Sequence, residues 1–168
     1  MSFSPIPIFK NVDMEVDVVR CGNTPSSSDL ATTTRLEVPT FTLSGITYEK
    51  SNSSQSYNDI VVLPSGYSYY VLAGCHGGAT SDYNWSARIQ LYDEDAGADT
   101  GSRAYYSNKD ASNDGGSASL MQWFGRLSSC VFLPNLSSSK RLSLRVNFSN
   151  GPFQAYNYNQ WTIYRIAS

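Results

Sequence analysis

Charged residues are scarce in this chain: Asp, Glu, Lys and Arg make up 15% of its 168 residues, and the net charge is −2 at pH 7. The 12 Lys and Arg are scattered singly or in pairs such as Lys140-Arg141, so no basic patch that could hold nucleic acid is present. No apolar run approaches the ~20 residues that span a bilayer, and the first residues lack the regions of a signal peptide. We therefore expect neither nucleic acid nor membrane among the partners.

Residues that carry catalysis are equally scarce. His76 is the single histidine, and a Cys-His pair with Cys75 could form only in an irregular loop, because neighbouring strand residues point to opposite faces. Cys21, Cys75 and Cys130 are odd in number and widely spaced, which favours three reduced, packed thiols over a disulfide framework or a zinc site. The sequence thus predicts a protein that is not an enzyme and has no cofactor.

Two groups of carboxylates were candidates for chemistry. The loop residues Asp93, Asp95 and Asp99 could gather around Ca²⁺, but the segment lacks a glycine at the sixth loop position and a glutamate at the twelfth. The other group comprises Asp13, Glu15 and Asp17, which share one face of a strand. Paired carboxylates of a glycosidase would need a cleft, so we interpret this face as a solvated or arm-contacting one. We predict no metal site, with Ca²⁺ binding by the first group as the alternative.

Aromatic and β-branched residues are plentiful, and they follow strand patterns. Residues 60–63 and 67–73 read as two strands joined by Pro64-Ser65-Gly66, and their apolar side chains occupy consecutive positions rather than alternate ones. Both faces should therefore be covered, one by a second sheet and the other by another subunit. Further strands are predicted at 14–18, 36–43, 85–92, 103–106, 120–124, 127–133, 141–148 and 161–166. Such a series with no confident helix predicts an all-β jelly-roll β-sandwich.

The N-terminal region has a different character. We expect residues 1–40 to form an extended N-terminal arm and a leading strand, and residues 41–168 to form the sandwich domain. Pro5 and Pro7 keep the arm from completing a β-ladder, yet the arm is too apolar for a free tail. Its candidate contacts with a capsid are Ile6, Ile8, Phe9, Val12 and Met14.

The strand order resembles the tumour-necrosis-factor-like (TNF-like) trimeric jelly roll, versions of which occur in bacteriophage virion proteins. The resemblance covers roughly residues 41–168 and rests chiefly on Leu63-Pro64-Ser65-Gly66-Tyr67, on R-L-S-L-R-V at 141–146 and on the closing W-T-I-Y-R-I at 161–166. It implies a homotrimer around an apolar, aromatic axis. The candidate interface residues are Tyr67, Tyr69, Tyr70, Leu72, Trp161, Ile163, Tyr164 and Ile166.

These expectations lead to two functional hypotheses. In the first, the protein is a non-enzymatic virion structural protein, a homotrimeric capsid decoration (cement) or head-fibre protein that contacts the shell or a fibre. In the second, it is a receptor-binding, lectin-like knob at the tip of a tail fibre or spike. Candidate residues for binding a host surface glycan are Tyr156, Tyr158 and Trp161, because aromatic faces stack on sugar rings.

Overall fold

The computed structural model describes residues 14–21, 34–79, 85–108, 122–149 and 153–167. All regular elements in these ranges are β-strands, and every strand pair is antiparallel. The strands are β1 (Met14–Cys21), β2 (Thr34–Arg35), β3 (Thr47–Glu49), β4 (Ile60–Leu63), β5 (Tyr67–Ala79), β6 (Trp85–Asp93), β7 (Ala98–Asn108), β8 (Gln122–Leu133), β9 (Lys140–Ser149) and β10 (Phe153–Ala167).

The strands form two sheets. The four-stranded sheet has the order β1-β10-β5-β8, and the six-stranded sheet has the order β3-β4-β9-β6-β7 with the short β2 also paired to β9. The predicted all-β sandwich of jelly-roll type is confirmed.

Period-two alternation builds the core between the sheets. In β9 the inward residues Leu142, Leu144 and Val146 are fully buried, and they lie among the inward residues of β6 and of the opposite sheet. Full burial of one such side chain contributes roughly 1.5–3 kcal/mol before ordering costs. This core aligns the two sheets and fixes which side chains face outward.

One edge of the sandwich is closed by bonds between β7 and β8, which belong to different sheets. Ser129 donates its hydroxyl to the carbonyl oxygen of Ser102 at 2.5 Å, and the Cys130 amide donates to the Ser102 hydroxyl at 2.9 Å. Gly101 permits this approach, because a Cβ built there would lie 2.1 Å from the carbonyl oxygen of Cys130. The strand edges of β7 and β8 are therefore bound to each other.

Several strand predictions need correction. The strands predicted at 60–63 and 67–73 are present as β4 and β5, but they lie in different sheets, so Pro64-Ser65-Gly66, with Gly66 at φ 88°, leads from one sheet to the other. Residues 36–43 are not a strand: only β2 precedes them, although Leu36, Val38, Phe41 and Leu43 are buried in the core. Pro39, which has no backbone N–H, lies in this stretch and interrupts a ladder.

Three predicted boundaries also shift because tertiary pairing extends the strands. β5 continues to Ala79, so His76 lies in a strand opposite Tyr156 and not in a loop. The two predicted strands around Gly125 are one strand, β8, whose pairing with β5 changes register between Leu127 and Phe124. The strand predicted at 161–166 begins earlier, since β10 extends from Phe153 to Ala167.

Candidate functional site: an apolar sheet face

The outward side of the four-stranded sheet carries a continuous apolar surface. Strand register places Val16, Tyr164, Tyr70 and Phe132 in one row across all four strands. A neighbouring row contains Val18, Thr162, Leu72 and Cys130. We call this surface the outer face and define it by Met14, Val16, Val18, Tyr70, Leu72, Phe132, Tyr164 and Ile166.

The large apolar side chains at the edges of the outer face are open to solvent in the single chain, whereas Leu72, Tyr164 and Ile166 are half-buried. Met14 is 57% exposed, Val16 43%, Val18 58% and Phe132 55%. At the centre of the sheet, the rings of Tyr70 and Tyr164 pack at 5.9 Å between centroids. Contiguous apolar patches of this kind are uncommon on monomers and usually indicate an interaction surface.

Strand β1 is oriented against the usual rule for an edge strand, with its aliphatic side chains outward and its acidic ones inward. Asp17 is buried and accepts hydrogen bonds from the Thr42 amide and, at 2.9 Å, from the Thr42 hydroxyl. Glu15 forms an ion pair with Arg165, which also donates to the Ser44 carbonyl oxygen at 2.6 Å. The prediction that Glu15 and Asp17 share a strand face is confirmed, but that face contacts the 42–44 segment; Asp13 lies outside the described residues.

The outer face is uncharged across the residues whose side chains the structure describes. Where side chains are described, the outward positions of β10, β5 and β8 carry only apolar, aromatic, hydroxyl, amide or thiol groups, such as Thr162, Ser68 and Cys130. Hydrogen bonds with Ser102 and Tyr70 lower the pKa of Cys130, and the bond with Cys130 raises the pKa of Tyr70. The surface therefore suits contact with another neutral, apolar surface.

The structure divides the eight candidate interface residues into two groups. Tyr69, Trp161 and Ile163 are 0% exposed in the single chain, because strand alternation turns them into the core. Tyr67 also packs against the core, with the Arg165 guanidinium 4.7 Å from its ring centroid. The three fully buried side chains are not available at the surface of the chain, which corrects the expectation for them, whereas Tyr67 is half-buried. The remaining four lie on the outer face: Tyr70, Leu72, Tyr164 and Ile166.

The candidate glycan site needs a similar correction. Trp161 packs edge-on against Phe41 in the core, with ring centroids 6.2 Å apart, so its face is not available to a sugar. The side chains of Tyr156 and Tyr158 lie outside the described residues. Among the arm candidates, Met14 is in β1 and exposed, whereas Ile6, Ile8, Phe9 and Val12 lie outside the described part of the chain.

Sequence reasoning missed the residues at the two edges of the outer face, Val16, Val18 and Phe132. Phe132 could have been found, because Val131-Phe132-Leu133 places apolar groups on both faces of a strand. Alternation in β1 would by itself place the valines toward the core, because an edge strand usually keeps its acidic side chains in solvent. Only the contacts of Asp17 and Glu15 reverse that assignment.

The residues that were considered for metal binding or catalysis are paired with other side chains or buried. Asp93 pairs with Lys140 at 2.9 Å, Asp95 accepts the Arg141 amide at 2.9 Å, and Asp99 pairs with Arg88. Across the described ranges, no three His, Cys, Asp or Glu side chains come together as a metal site would require. Cys75 is buried, and burial raises the pKa of its thiol, which opposes a role as a nucleophile.

The opposite side of the molecule is polar. On the outward side of the six-stranded sheet, Glu94 accepts a two-pronged pair from Arg35 at 2.9 and 3.0 Å and further bonds from Ser143 and Arg145. Burial alone would raise the pKa of Glu94, but the bonds from Arg35, Ser143 and Arg145 lower it to about 2. The two sheets thus present unlike surfaces, one apolar and one rich in ion pairs.

No family model matches the chain, and no curated protein sequence matches it. Among solved structures, the chain is similar to the tripod (BppUct-A-L) from the baseplate of bacteriophage Tuc2009, at 13% identity and a TM-score of 0.36, over 88% of this chain and 78% of that chain. In the part of the chain that the structure describes, no helix could cross a membrane.

Proposed function

We propose that this protein is a non-enzymatic structural protein of a bacteriophage virion, a homotrimeric capsid decoration or head-fibre protein built on a TNF-like jelly roll. The observation that carries the proposal is the outer face, an apolar surface that runs across four strands and whose described side chains are uncharged. Two further copies of the chain would cover it. Since the surface is uncharged, copies meet there without like-charge repulsion.

The two edges of the outer face differ, and this difference favours a closed ring over a two-fold dimer. The β1 edge is aliphatic, with Met14, Val16 and Val18, whereas the β8 edge carries the aromatic Phe132. In a ring, the aliphatic edge of one copy packs on the aromatic edge of the next, which is a heterologous contact. The resemblance of the sequence to trimeric jelly rolls supports three as the number of copies.

The assignment to a virion rests on that same resemblance and on the apolar arm. Versions of the TNF-like jelly roll occur in phage virion proteins, and an arm with Ile6, Ile8 and Phe9 would give the trimer a contact with a capsid shell. Each apolar side chain fully buried there would contribute roughly 1.5–3 kcal/mol before ordering costs. The proposed location is the exterior of the capsid.

Light scattering on the purified protein tests the assembly. We expect a mass three times the 18.5 kDa of one chain at micromolar concentration. Phe132→Asp should yield monomers, because each interface would bury an unpaired carboxylate. Tyr105→Asp is the matched control, since Tyr105 is a similarly exposed aromatic residue of the other sheet, and it should stay trimeric. A mass of 18.5 kDa for the unmodified protein would contradict the proposal.

A second candidate is a receptor-binding knob at the tip of a tail fibre or spike. The observation that favours it is the polar, arginine-rich side of the six-stranded sheet, which in a trimer of this design would face outward. The trimer test is common to both candidates. In the first candidate function the trimer is attached to the capsid shell, and in the second it contacts the host.

A further inference from the structure

A shallow cleft on the outward side of the six-stranded sheet gathers guanidinium groups around one buried amide. It has a volume of about 170 Å³ and is lined by Arg88, Gln90, Asp99, Arg145 and Asn147. Strand register explains the gathering: Gln90 of β6 lies between Arg103 of β7 and Arg145 of β9, and Arg145 lies opposite Arg35 of β2. We call this site the arginine cleft.

Gln90 holds two of the guanidinium groups in place. Its Oε1 accepts from Arg88 Nη2 at 2.8 Å and from Arg103 Nε at 3.1 Å, while its Nε2 donates to the Gly101 carbonyl oxygen at 3.4 Å. Gln90 is only 7% exposed, so its amide is a fixed support. Two cations thus converge on an acceptor that carries no charge.

The charges of the cluster do not balance. Asp99 pairs with Arg88, and Glu94 pairs with both Arg35 and Arg145. With Arg103, the described residues of the cluster comprise four guanidinium groups and two paired carboxylates, and Asp59 adds a third carboxylate near Arg35, which leaves an excess of one positive charge on a protein whose net charge is −2. An anion placed between Arg88, Arg103 and Arg145 would relieve this repulsion, and guanidinium groups bind carboxylates and phosphates in a two-pronged geometry.

The surroundings of the cleft suit a sugar attached to that anion. The exposed Asn147 is the Cα partner of Arg88 on one side and Tyr105 is its partner on the other, so both side chains point to the same face as Arg88. Tyr105 is 61% exposed and is a large aromatic ring on this sheet with an open face. Amides bond sugar hydroxyls, and an aromatic face packs on the C–H groups of a pyranose ring.

We propose that the arginine cleft binds an acidic saccharide, a sugar that carries a carboxylate or a phosphate. The anionic group contacts the guanidinium groups of Arg88, Arg103 and Arg145, and the ring lies against Tyr105 and Asn147. The site is on the sheet opposite the outer face. It is therefore independent of the proposed trimer and of the location in the virion, and either proposal can fail without the other.

Isothermal titration calorimetry on the full-length protein at low ionic strength tests the site with four probes: glucose 6-phosphate, glucuronic acid, glucose and inorganic phosphate. We expect at least one of the acidic sugars to bind at least tenfold more tightly than glucose and than inorganic phosphate. The stronger of the two acidic sugars identifies the anionic group. If neither acidic sugar binds, the proposal is overturned. If inorganic phosphate binds as tightly as glucose 6-phosphate and glucuronic acid does not exceed it, the sugar part is overturned.

Variants locate the binding. Arg88→Gln and Arg103→Gln should each weaken the preferred acidic sugar at least tenfold, and Tyr105→Ala should weaken it several-fold while leaving the weak binding of inorganic phosphate unchanged. Lys50→Gln removes the same charge from an exposed lysine beside β3, at the opposite edge of the sheet, and should have no effect. Equal weakening by Lys50→Gln would assign the effect to overall charge and overturn the site. Tyr105 is exposed, so its variant tests the site even if an arginine variant unfolds.

Discussion

Glu94 connects three elements through a single carboxylate. It follows β6 directly and accepts hydrogen bonds from Arg35 of β2 and from Ser143 and Arg145 of β9. The Arg145 guanidinium also lies 3.1 Å from the centroid of the Tyr92 ring. Arg35 and Arg145 are directly opposite in the ladder, where like charges destabilise a sheet, so one carboxylate between them offsets that repulsion.

Replacement of this carboxylate should lower stability in a pH-dependent way. The pKa of Glu94 is lowered from 4.5 to about 2, so its contribution is fully present above pH 4.5 and is lost as the pH falls toward about 2. Glu94→Gln should reduce the free energy of unfolding at pH 7 by about 1.5–3 kcal/mol, the usual range for hydrogen bonds to a charged group. Urea unfolding at pH 7, and again after acidification through that window, measures the difference.

The control for this prediction is Glu49→Gln. Glu49 pairs with Arg141 at 2.7 Å, but 43% of its side chain is exposed, so its removal should change stability by less than about 1 kcal/mol. The difference between Glu94→Gln and the unmodified protein should shrink in acid. A difference that is the same at all pH values would mean that the charge of Glu94 is not what stabilises the sheet.

At the scale of the element, the close approach of β7 to β8 depends on a glycine. Gly101 has φ +71°, and a Cβ there would overlap the backbone of Cys130, whereas Gly97 has φ +65° and no clash, its nearest atom being the Tyr92 hydroxyl at 3.8 Å. A comparison of Gly97 with Gly101 therefore separates backbone strain from the steric overlap of an added side chain. Both residues need the left-handed backbone, but only Gly101 also needs the missing side chain.

We expect Gly97→Ala to lower the free energy of unfolding by about 1–2 kcal/mol through backbone strain alone. Gly101→Ala should lower it by a further 1–3 kcal/mol, because β7 must move away from β8 and the bonds of Ser102 to Ser129 and Cys130 are strained. Thermal or urea unfolding of both variants measures the difference. Equal losses in the two variants would show that β7 can shift freely along this edge.

The orientation of β1 is a second feature at the scale of the element. A slip of one residue would turn its aliphatic side chains inward and its acidic ones outward. The bonds of Asp17 to Thr42 and of Glu15 to Arg165 oppose that slip. Polar contacts on one side of β1 therefore keep its aliphatic side chains on the outer face.

At the scale of the whole molecule, the two proposed roles differ in what the N-terminal arm does. If the trimer decorates a capsid, deletion of residues 2–11 should leave a folded trimer that no longer binds undecorated particles, because Ile6, Ile8 and Phe9 are lost. If the protein is a receptor-binding knob, the same deletion should leave adhesion to host cells intact. The experiment adds intact and truncated protein separately to bare capsids and to host cells, and scores binding to each.

Light scattering of the truncated protein is the control, since it must still be trimeric. Arg88→Gln changes the arginine cleft and leaves the arm intact, so this variant should bind capsids normally. Truncated protein that binds capsids as well as the intact chain would exclude the arm as the anchor. Intact protein that coats cells and ignores capsids would favour the knob.

The sequence by itself determined most of the strands and the division of their side chains into two sets, since alternation is a local property of the backbone. Alternation along 141–147 separates the buried Leu142, Leu144 and Val146 from the residues between them, and the all-β sandwich follows from a series of such segments. Consecutive apolar residues in β5 and β10 indicated apolar groups on both faces of these strands, but not which of the two faces belongs to the chain's own core.

Only the tertiary structure decided what lies across from each strand. It turned Tyr69, Trp161 and Ile163 into the core and left Tyr70 and Tyr164 outside, and it buried Asp17 beneath an apolar surface. The arginine cleft has the same origin, because Arg88, Arg103 and Arg145 belong to three strands and become neighbours only through ladder register. The physical reason is that alternation assigns side chains to two faces, whereas the identity of the buried face depends on partners distant in sequence.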